Sequence, residues 1–139
     1  MAGEHRRTGL ALPAALSEVH ALFAEVAAAH PGLTVEDVMR VETALIELVG
    51  NIVEHGRPSG GVRYTLEVAV SPGEVVAHLA DDAREPAPGA ADHDMPDEWA
   101  ETGRGLALAG ALVDELVHEA GPTGNRWQIT QRRTGGTPG

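Results

Sequence analysis

The chain has 139 residues, a length that suits one domain with a substantial buried core. Its 21 acidic residues outnumber its 10 basic ones, all of which are arginine, so the formal charge is −11. The lack of lysine excludes a P-loop lysine and a Schiff-base lysine, and the lack of cysteine excludes disulfides, cysteine-bound zinc and thiol catalysis. The acidic balance argues against direct binding to nucleic acid, because it repels a phosphate backbone.

The distribution of apolar residues predicts a protein without a membrane span. No apolar run approaches the length of a transmembrane helix, and no secretory signal is visible near the first residue. We therefore expect a cytoplasmic protein. Aromatic residues make up 3% of the chain against 42% hydrophobic residues in total, which predicts an aliphatic core.

The first part of the chain predicts one strand and one helix. The first nine residues indicate a flexible lead-in, and residues 10–12 a short edge strand. Pro13 suits the first turn of a helix, and apolar residues at helical spacing extend that helix to His30. The Pro-Gly pair that follows is typical of a helix end.

A second helix is predicted from Val35 to His55. Thr34 and Asp37 have the spacing of a capping box at its start, and Gly56 suits its end. Its apolar stripe consists of Val38, Val41, Leu45, Leu48 and Ile52.

The apolar period then changes to two, which indicates strands. Residues 62–70 and 75–80 alternate in this way around a Ser-Pro-Gly-Glu turn, so they predict a hairpin that ends at Asp81. Residues 81–102 carry eight acids and one arginine, a local charge of 1 − 8 = −7, together with three prolines. A loop of this length in a small domain is typical of a functional or mobile segment.

The last part of the chain predicts a helix and two short strands. A Gly-Arg-Gly turn over 103–105 opens a helix to about residue 116, followed by strands over 117–120 and 126–132 and a flexible tail over 134–139. The order β-α-α-β-β-loop-α-β-β predicts a two-layer α/β sandwich, with helices on one face of a mixed, mostly antiparallel sheet.

The second helix carries three polar residues at a spacing of four. Glu47, Asn51 and His55 therefore project from one face. A carboxylate and an amide oxygen one turn apart suit a hard cation such as Mg²⁺, or a carboxylate base beside a metal-bound phosphate. A solvated polar face on an amphipathic helix explains the same spacing.

Two further positions suit ligand contacts. Asp81 ends a predicted strand, where a carboxylate can accept a hydrogen bond from a ligand amino group or simply start a turn. Gly103 and Gly105 allow close approach of a ligand to backbone N–H groups at a helix start, which favours anions. They also suit a flexible entry to an ordinary helix.

Taken in order, these motifs resemble the GHKL (Bergerat-fold) ATP-binding domain. The motifs are Glu-x3-Asn-x3-His-Gly at residues 47–56, the aspartate at 81, and Gly-Arg-Gly-Leu at 103–106. Within that superfamily the chain resembles the single-domain bacterial anti-sigma factor serine/threonine kinases, including the actinobacterial ones. The resemblance implies one ATP-binding kinase domain over residues 10–133.

The resemblance also implies roles for individual residues. Asn51 would coordinate the Mg²⁺ that bridges the ATP phosphates, and Glu47 would act as the base, or orient the nucleophile, for phosphoryl transfer. Asp81 would bind the adenine amino group, and residues 82–102 would form a lid over the nucleotide. Other positions that match the family's nucleotide site are His55, Ala83, Gly103, Arg104, Gly105 and Leu106.

The family's partners follow from the same resemblance. Its substrate is a serine of a STAS-domain anti-anti-sigma protein, its second partner is a sigma factor held inactive, and members commonly form homodimers. The family's Asp-x-Gly-x-Gly motif reads Asp81-Asp82-Ala83-Arg84-Glu85 here, without either glycine. An alternative therefore stays open, a GHKL-like partner-binding switch module that binds ATP weakly or is not catalytic.

Overall fold

The computed structural model describes residues 3–56, 62–82, 107–121 and 124–134. Residues 107–112 are helical. The other elements, in chain order, are β1 (Gly3–Leu10), α1 (Ala14–Ala29), α2 (Val35–Gly56), β2 (Arg63–Val70), β3 (Glu74–Asp81), β4 (Glu115–Gly121) and β5 (Gly124–Arg132).

The five strands form one sheet in the order β1-β2-β3-β5-β4. All four neighbouring pairs are antiparallel. The predicted α/β class is confirmed, with the refinement that the described strands contain no parallel pair. The last strand lies between β3 and β4, so Asp81 at the end of β3 stands opposite Tyr64 on one side and Asn125 on the other.

The edge strand β1 begins earlier than the sequence predicted. Instead of an irregular lead-in and a short strand over 10–12, residues 3–10 pair with β2 along their whole length. The apolar alternation that marks a strand is missing, because two of its half-buried positions hold His5 and Arg7. Both side chains bond Glu25 of α1, which satisfies their polar atoms at this position.

The two long helices confirm the predicted helices closely. α2 begins with a cap in which the Oγ1 atom of Thr34 accepts the backbone N–H of Asp37 at 3.0 Å. The Asp37 carboxylate does not return to Thr34 as a full capping box requires. It accepts the N–H and the hydroxyl of Thr134, at 2.7 and 2.8 Å, and so ties the start of α2 to the chain beyond β5.

The core lies between these helices and one face of the sheet. Inward positions alternate along β2, β3 and β5, and the apolar stripes of α1 and α2 cover them. The expected aliphatic core is confirmed, since the largest fully buried side chains are Phe23, Leu22, Leu45, Leu48, Leu66, Leu79, Ile129, Val19, Val26, Val41, Val49 and Val68.

The helix predicted as far as residue 116 ends earlier, at residue 112. Asp114 explains the difference, because its carboxylate accepts the backbone N–H of Arg132 at 2.6 Å and its own N–H donates to the side chain of Gln131 at 3.2 Å. These bonds hold the chain against β5, so Leu116 continues in β4 instead of the helix.

None of the helices in the described ranges is long and apolar enough to cross a membrane.

Candidate functional site

Helix α2 presents Glu47 and Asn51 one turn apart. The helix buries Leu48 and Ile52 in the core, and Asn51 lies beside them with 6% of its surface exposed. Glu47 is half-buried on the same face. The two residues therefore share one face of the helix, as predicted. At Asn51 this face is buried and is not a solvated surface.

The side chain of Asn51 has no hydrogen-bond partner among the described residues. Both its Nδ2 and its Oδ1 atoms are buried and unpaired. An unsatisfied buried polar group costs about 1–3 kcal/mol, and native proteins keep few of them. An amide oxygen is a good ligand for Mg²⁺, so the unpaired carboxamide fits a metal-bound phosphate at this point of the helix.

Asp81 is held at the end of β3 by its two neighbouring strands. It has 7% of its surface exposed, and its Oδ1 atom accepts the Nδ2–H of Asn125 at 3.3 Å. The next residue fixes the strand end, because the Asp82 carboxylate accepts the N–H of Arg63 at 2.7 Å while the Asp82 N–H donates to the Arg63 carbonyl at 3.1 Å. The carboxylate of Asp81 therefore has a rigid scaffold.

Asn125 and His118 were not singled out from the sequence. The Oδ1 atom of Asn125 lies 3.0 Å from the Nε2 atom of His118, so the bonds continue from β3 through β5 to β4. The predicted strand began at Arg126, which left Asn125 in a turn. In the alternation of β5, Asn125 faces inward like Trp127 and Ile129. This spacing of two was the sequence signal that could have assigned it to the strand.

Gly124 is a third residue that was not singled out from the sequence. Its φ of +141° is a conformation that residues with a side chain rarely adopt, and a Cβ there would overlap the carbonyl oxygen of Asp81. The glycine therefore allows the two strand ends to approach where Asp81 and Asn125 meet.

A solvent-open cavity of about 840 Å³ lies at this end of the sheet. Asp81, Asn125 and Gly124 line it, together with residues such as Thr65 and Arg126 from the face that the helices do not cover. Its volume is in the range of small-molecule pockets. Asn51 does not line this cavity, so Asp81 and Asn51 mark two separate parts of the candidate site.

The remaining predicted site residues lie outside the described part of the chain. These are Ala83, Gly103, Arg104, Gly105 and Leu106, and of His55 only its place in α2 is described. Within the described ranges, no group of three or more His, Asp or Glu side chains could hold a metal ion. A Mg²⁺ ion at Asn51 would therefore not be held by a cluster of such side chains within these ranges.

The fold agrees with the family comparison. The chain belongs to the histidine kinase-like ATPase domain family, whose model matches residues 10–130. Membership of this family implies ATP binding, and the predicted superfamily is confirmed at this level.

Solved structures give a more specific likeness. Eleven of their chains match, among them the crystal structure of the RsbU and RsbW domains of Rv1364c from Mycobacterium tuberculosis. That match has 26% identity and a TM-score of 0.66, and it covers 94% of this chain and 32% of the other. This chain thus spans about a third of the length of that relative. No curated protein matches.

Proposed function

We propose that this domain is an ATP-dependent protein serine/threonine kinase that acts as an anti-sigma factor in the cytoplasm. It phosphorylates a serine of a STAS-domain anti-anti-sigma protein and holds a sigma factor inactive. The family supports ATP-dependent chemistry, and the likeness to a structure with an RsbW domain supports this branch of the family.

The observation that carries the proposal is the buried carboxamide of Asn51, which has no partner among the described residues, with Glu47 one turn before it. A structural asparagine in a core normally finds partners, because its desolvation is otherwise uncompensated. Here the unpaired atoms and the carboxylate share a helix face, which is the arrangement expected for a metal-bound phosphate and a base.

The proposed reaction is a transfer of the γ-phosphoryl group of ATP to the serine hydroxyl. The bond from the γ-phosphorus to the β,γ-bridging oxygen breaks, a bond from that phosphorus to the serine oxygen forms, and ADP leaves. Glu47 accepts the hydroxyl proton, and Asn51 offers its Oδ1 atom to Mg²⁺. The metal supplies charge neutralisation on the phosphates.

In this proposal Asp81 recognises the adenine of ATP. Its carboxylate, which shares the inward phase of β3 with Leu79, accepts a hydrogen bond from the 6-amino group of adenine. The proposal also places the segment after Asp82 over the nucleotide as a lid, with Gly103 and Gly105 giving backbone N–H groups to the phosphates and His55, Ala83, Arg104 and Leu106 beside them.

A phosphotransfer assay tests the catalytic role. The purified domain, Mg²⁺, ATP labelled at the γ-position and a cognate STAS protein should give labelled phosphoserine. Glu47→Gln should lower the rate by at least about 100-fold, because the general base is lost. Glu42→Gln is the matched control, since Glu42 is on the same helix and partly exposed. No transfer by the wild type, or equal rates for both variants, contradicts the proposal.

The partner proposals have a separate test. Size-exclusion chromatography with light scattering should show a complex of the domain with its sigma factor. Addition of the unphosphorylated STAS protein should dissociate this complex. The same measurement on the domain alone tests the proposed homodimer. A sigma factor that never co-elutes with the domain contradicts the anti-sigma role, whatever the kinase assay shows.

A second candidate function is a partner-binding switch with weak or no use of ATP. It is favoured by the sequence Asp81-Asp82-Ala83-Arg84-Glu85, in which both family glycines are replaced, and by the local charge of −7 from residue 81 to 102. Acidic side chains beside a triphosphate oppose its binding. Titration calorimetry with Mg-ATP separates the two candidates, since micromolar binding lost in Asp81→Asn supports the kinase and no heat at millimolar nucleotide supports the switch.

A further inference from the structure

A chain of three polar side chains crosses the sheet at the end where Asp81 lies. Asn125 stands directly opposite Asp81 in the strand register, and its Nδ2–H donates to Asp81 at 3.3 Å. On its other side, the Oδ1 atom of Asn125 meets the Nε2 atom of His118 at 3.0 Å. The proposed function assigns a role to Asp81 and none to the other two.

With Asp81 ionised, the contacts from Asn125 to Asp81 and to His118 allow one placement of the hydrogen atoms between these side chains. An ionised carboxylate can only accept, so the carboxamide of Asn125 must turn its Nδ2–H toward Asp81 and its oxygen toward His118. His118 must then donate from Nε2, which fixes the position of a ring proton. A flipped carboxamide would place its oxygen against the carboxylate, with two acceptors facing each other.

The ring of His118 is itself held in place. Its centroid lies 4.9 Å from that of Trp127, at an interplanar angle of 43°, and Trp127 is buried in the core. The N–H donor therefore belongs to a ring that is fixed on the edge strand β4. It orients the buried amide of Asn125 on β5, and this amide in turn orients the Asp81 carboxylate on β3.

We propose that His118 is a positioning residue that acts through Asn125 to hold the Asp81 carboxylate ready for a 6-amino purine. The inference rests on the proposed adenine role of Asp81. A correctly aimed, ionised carboxylate accepts a hydrogen bond from the 6-amino group of adenine and repels the 6-oxo group of hypoxanthine. His118 thus contributes to base specificity without touching the nucleotide.

Two substitutions separate the donor from the ring. His118→Phe keeps an aromatic ring against Trp127 and removes the donor, whereas His118→Gln removes the ring and keeps an N–H group close to the place of Nε2. Calorimetry with Mg-ATP and with Mg-ITP, which differ at position 6 of the base, gives the ratio of the two affinities. A merely structural defect lowers both affinities and leaves their ratio unchanged.

The expected result is a roughly tenfold fall in the ATP/ITP affinity ratio for His118→Phe, from loss of a hydrogen bond next to a charged group, with a near wild-type ratio for His118→Gln. An unchanged ratio in His118→Phe overturns the role of His118 while the proposed function stands. A wild type that binds neither nucleotide contradicts the proposed function and overturns this inference with it.

A nucleotide-free readout completes the test. Long-range ¹H–¹⁵N spectra of the labelled wild type should show His118 with its proton on Nε2, and His118→Phe should shift the side-chain amide signals of Asn125. A proton on Nδ1 alone, or amide signals that do not move, overturns the inference independently of any nucleotide.

Discussion

Asp37 and Thr134 lie 97 positions apart in the chain and are joined by two hydrogen bonds. The Asp37 carboxylate is fully buried in the first turn of α2, and each of its oxygens accepts one bond from Thr134. These bonds link the helix that carries Glu47 and Asn51 to the segment after β5, the strand that carries Asn125.

Removal of one of these bonds should destabilise the domain. Thr134→Val keeps the backbone N–H bond and removes the hydroxyl, which leaves one oxygen of the buried Asp37 carboxylate without that donor. We expect a loss of about 1.5–3 kcal/mol in the free energy of unfolding, measured by urea denaturation. Thr8→Val on the exposed side of β1 is the control, and an equal effect in both variants would contradict the prediction.

Gly124→Ala should damage both stability and nucleotide binding. The new Cβ would overlap the backbone of Asp81, at a φ that alanine rarely adopts, so β3 and β5 must separate at this end. We expect a loss of more than about 2 kcal/mol in unfolding free energy together with weaker Mg-ATP binding.

Gly50→Ala is the matched control for that substitution. Gly50 lies inside α2, and apart from the backbone of that helix and its chain neighbours a Cβ there meets no atom of the described residues within 4 Å. Alanine there should stabilise the domain by about 0.5–1 kcal/mol through helix propensity. Loss of stability in Gly50→Ala, or tolerance of Gly124→Ala, would show that the packing around these glycines differs from that described.

Asn51→Leu should raise stability and abolish the response to nucleotide. The substitution replaces an unpaired buried carboxamide by an apolar side chain, so the nucleotide-free domain should gain roughly 1–3 kcal/mol. Thermal unfolding with and without Mg-ATP measures both effects. A variant that is destabilised, or that keeps the wild-type shift of its melting temperature with Mg-ATP, would refute a ligand-binding role for this residue.

The lowered pKa of His30 leads us to expect a loss of stability in mild acid. Burial lowers its pKa below the ordinary 6.5, and the nearby charges of His5, Arg133 and the amino terminus lower it further. The Nε2 atoms of His5 and His30 are 3.0 Å apart, so only one of them can carry a proton at this contact. The folded protein therefore takes up a proton on His30 less readily than the unfolded chain.

The sign of the effect follows from that difference. The contribution of His30 is complete above pH 6.5, because both states are then neutral, and it declines as the pH falls below that value. Urea denaturation at pH 7.5 and 5.5 should show a smaller loss for His30→Gln than for the wild type. His78→Gln, on the exposed face of β3, should keep the wild-type loss, and equal losses in all three proteins would contradict the prediction.

Much of the fold could be predicted from local pattern. The helices α1 and α2 and the β2–β3 hairpin each have an apolar period, and their ends have turn or capping residues such as Thr34. Asn51 could be named from its spacing to Glu47 alone. Its burial without a partner could not, because that depends on which residues the rest of the chain brings beside α2.

The parts that failed depend on distant contacts. β1 carries polar and charged residues where a strand should show apolar ones, and contacts with distant residues, such as Glu25 of α1, make His5 and Arg7 acceptable there. The end of the last helix depends on bonds from Asp114 to β5. The role of Asn125 could not be predicted, because it depends on the sheet order that places this residue opposite Asp81.

The insertion of β5 between β3 and β4 also has a consequence for synthesis of the protein. When the ribosome has synthesised the chain as far as Gly121, four of the five described strands are complete. The strand that pairs with both β3 and β4 in the finished sheet, β5, is still missing. Asp81 then lacks the amide that stands opposite it in the finished sheet. Nascent chains that end before β5 therefore expose the edge of β3 that the finished sheet covers, and an unpaired strand edge of this kind favours aggregation.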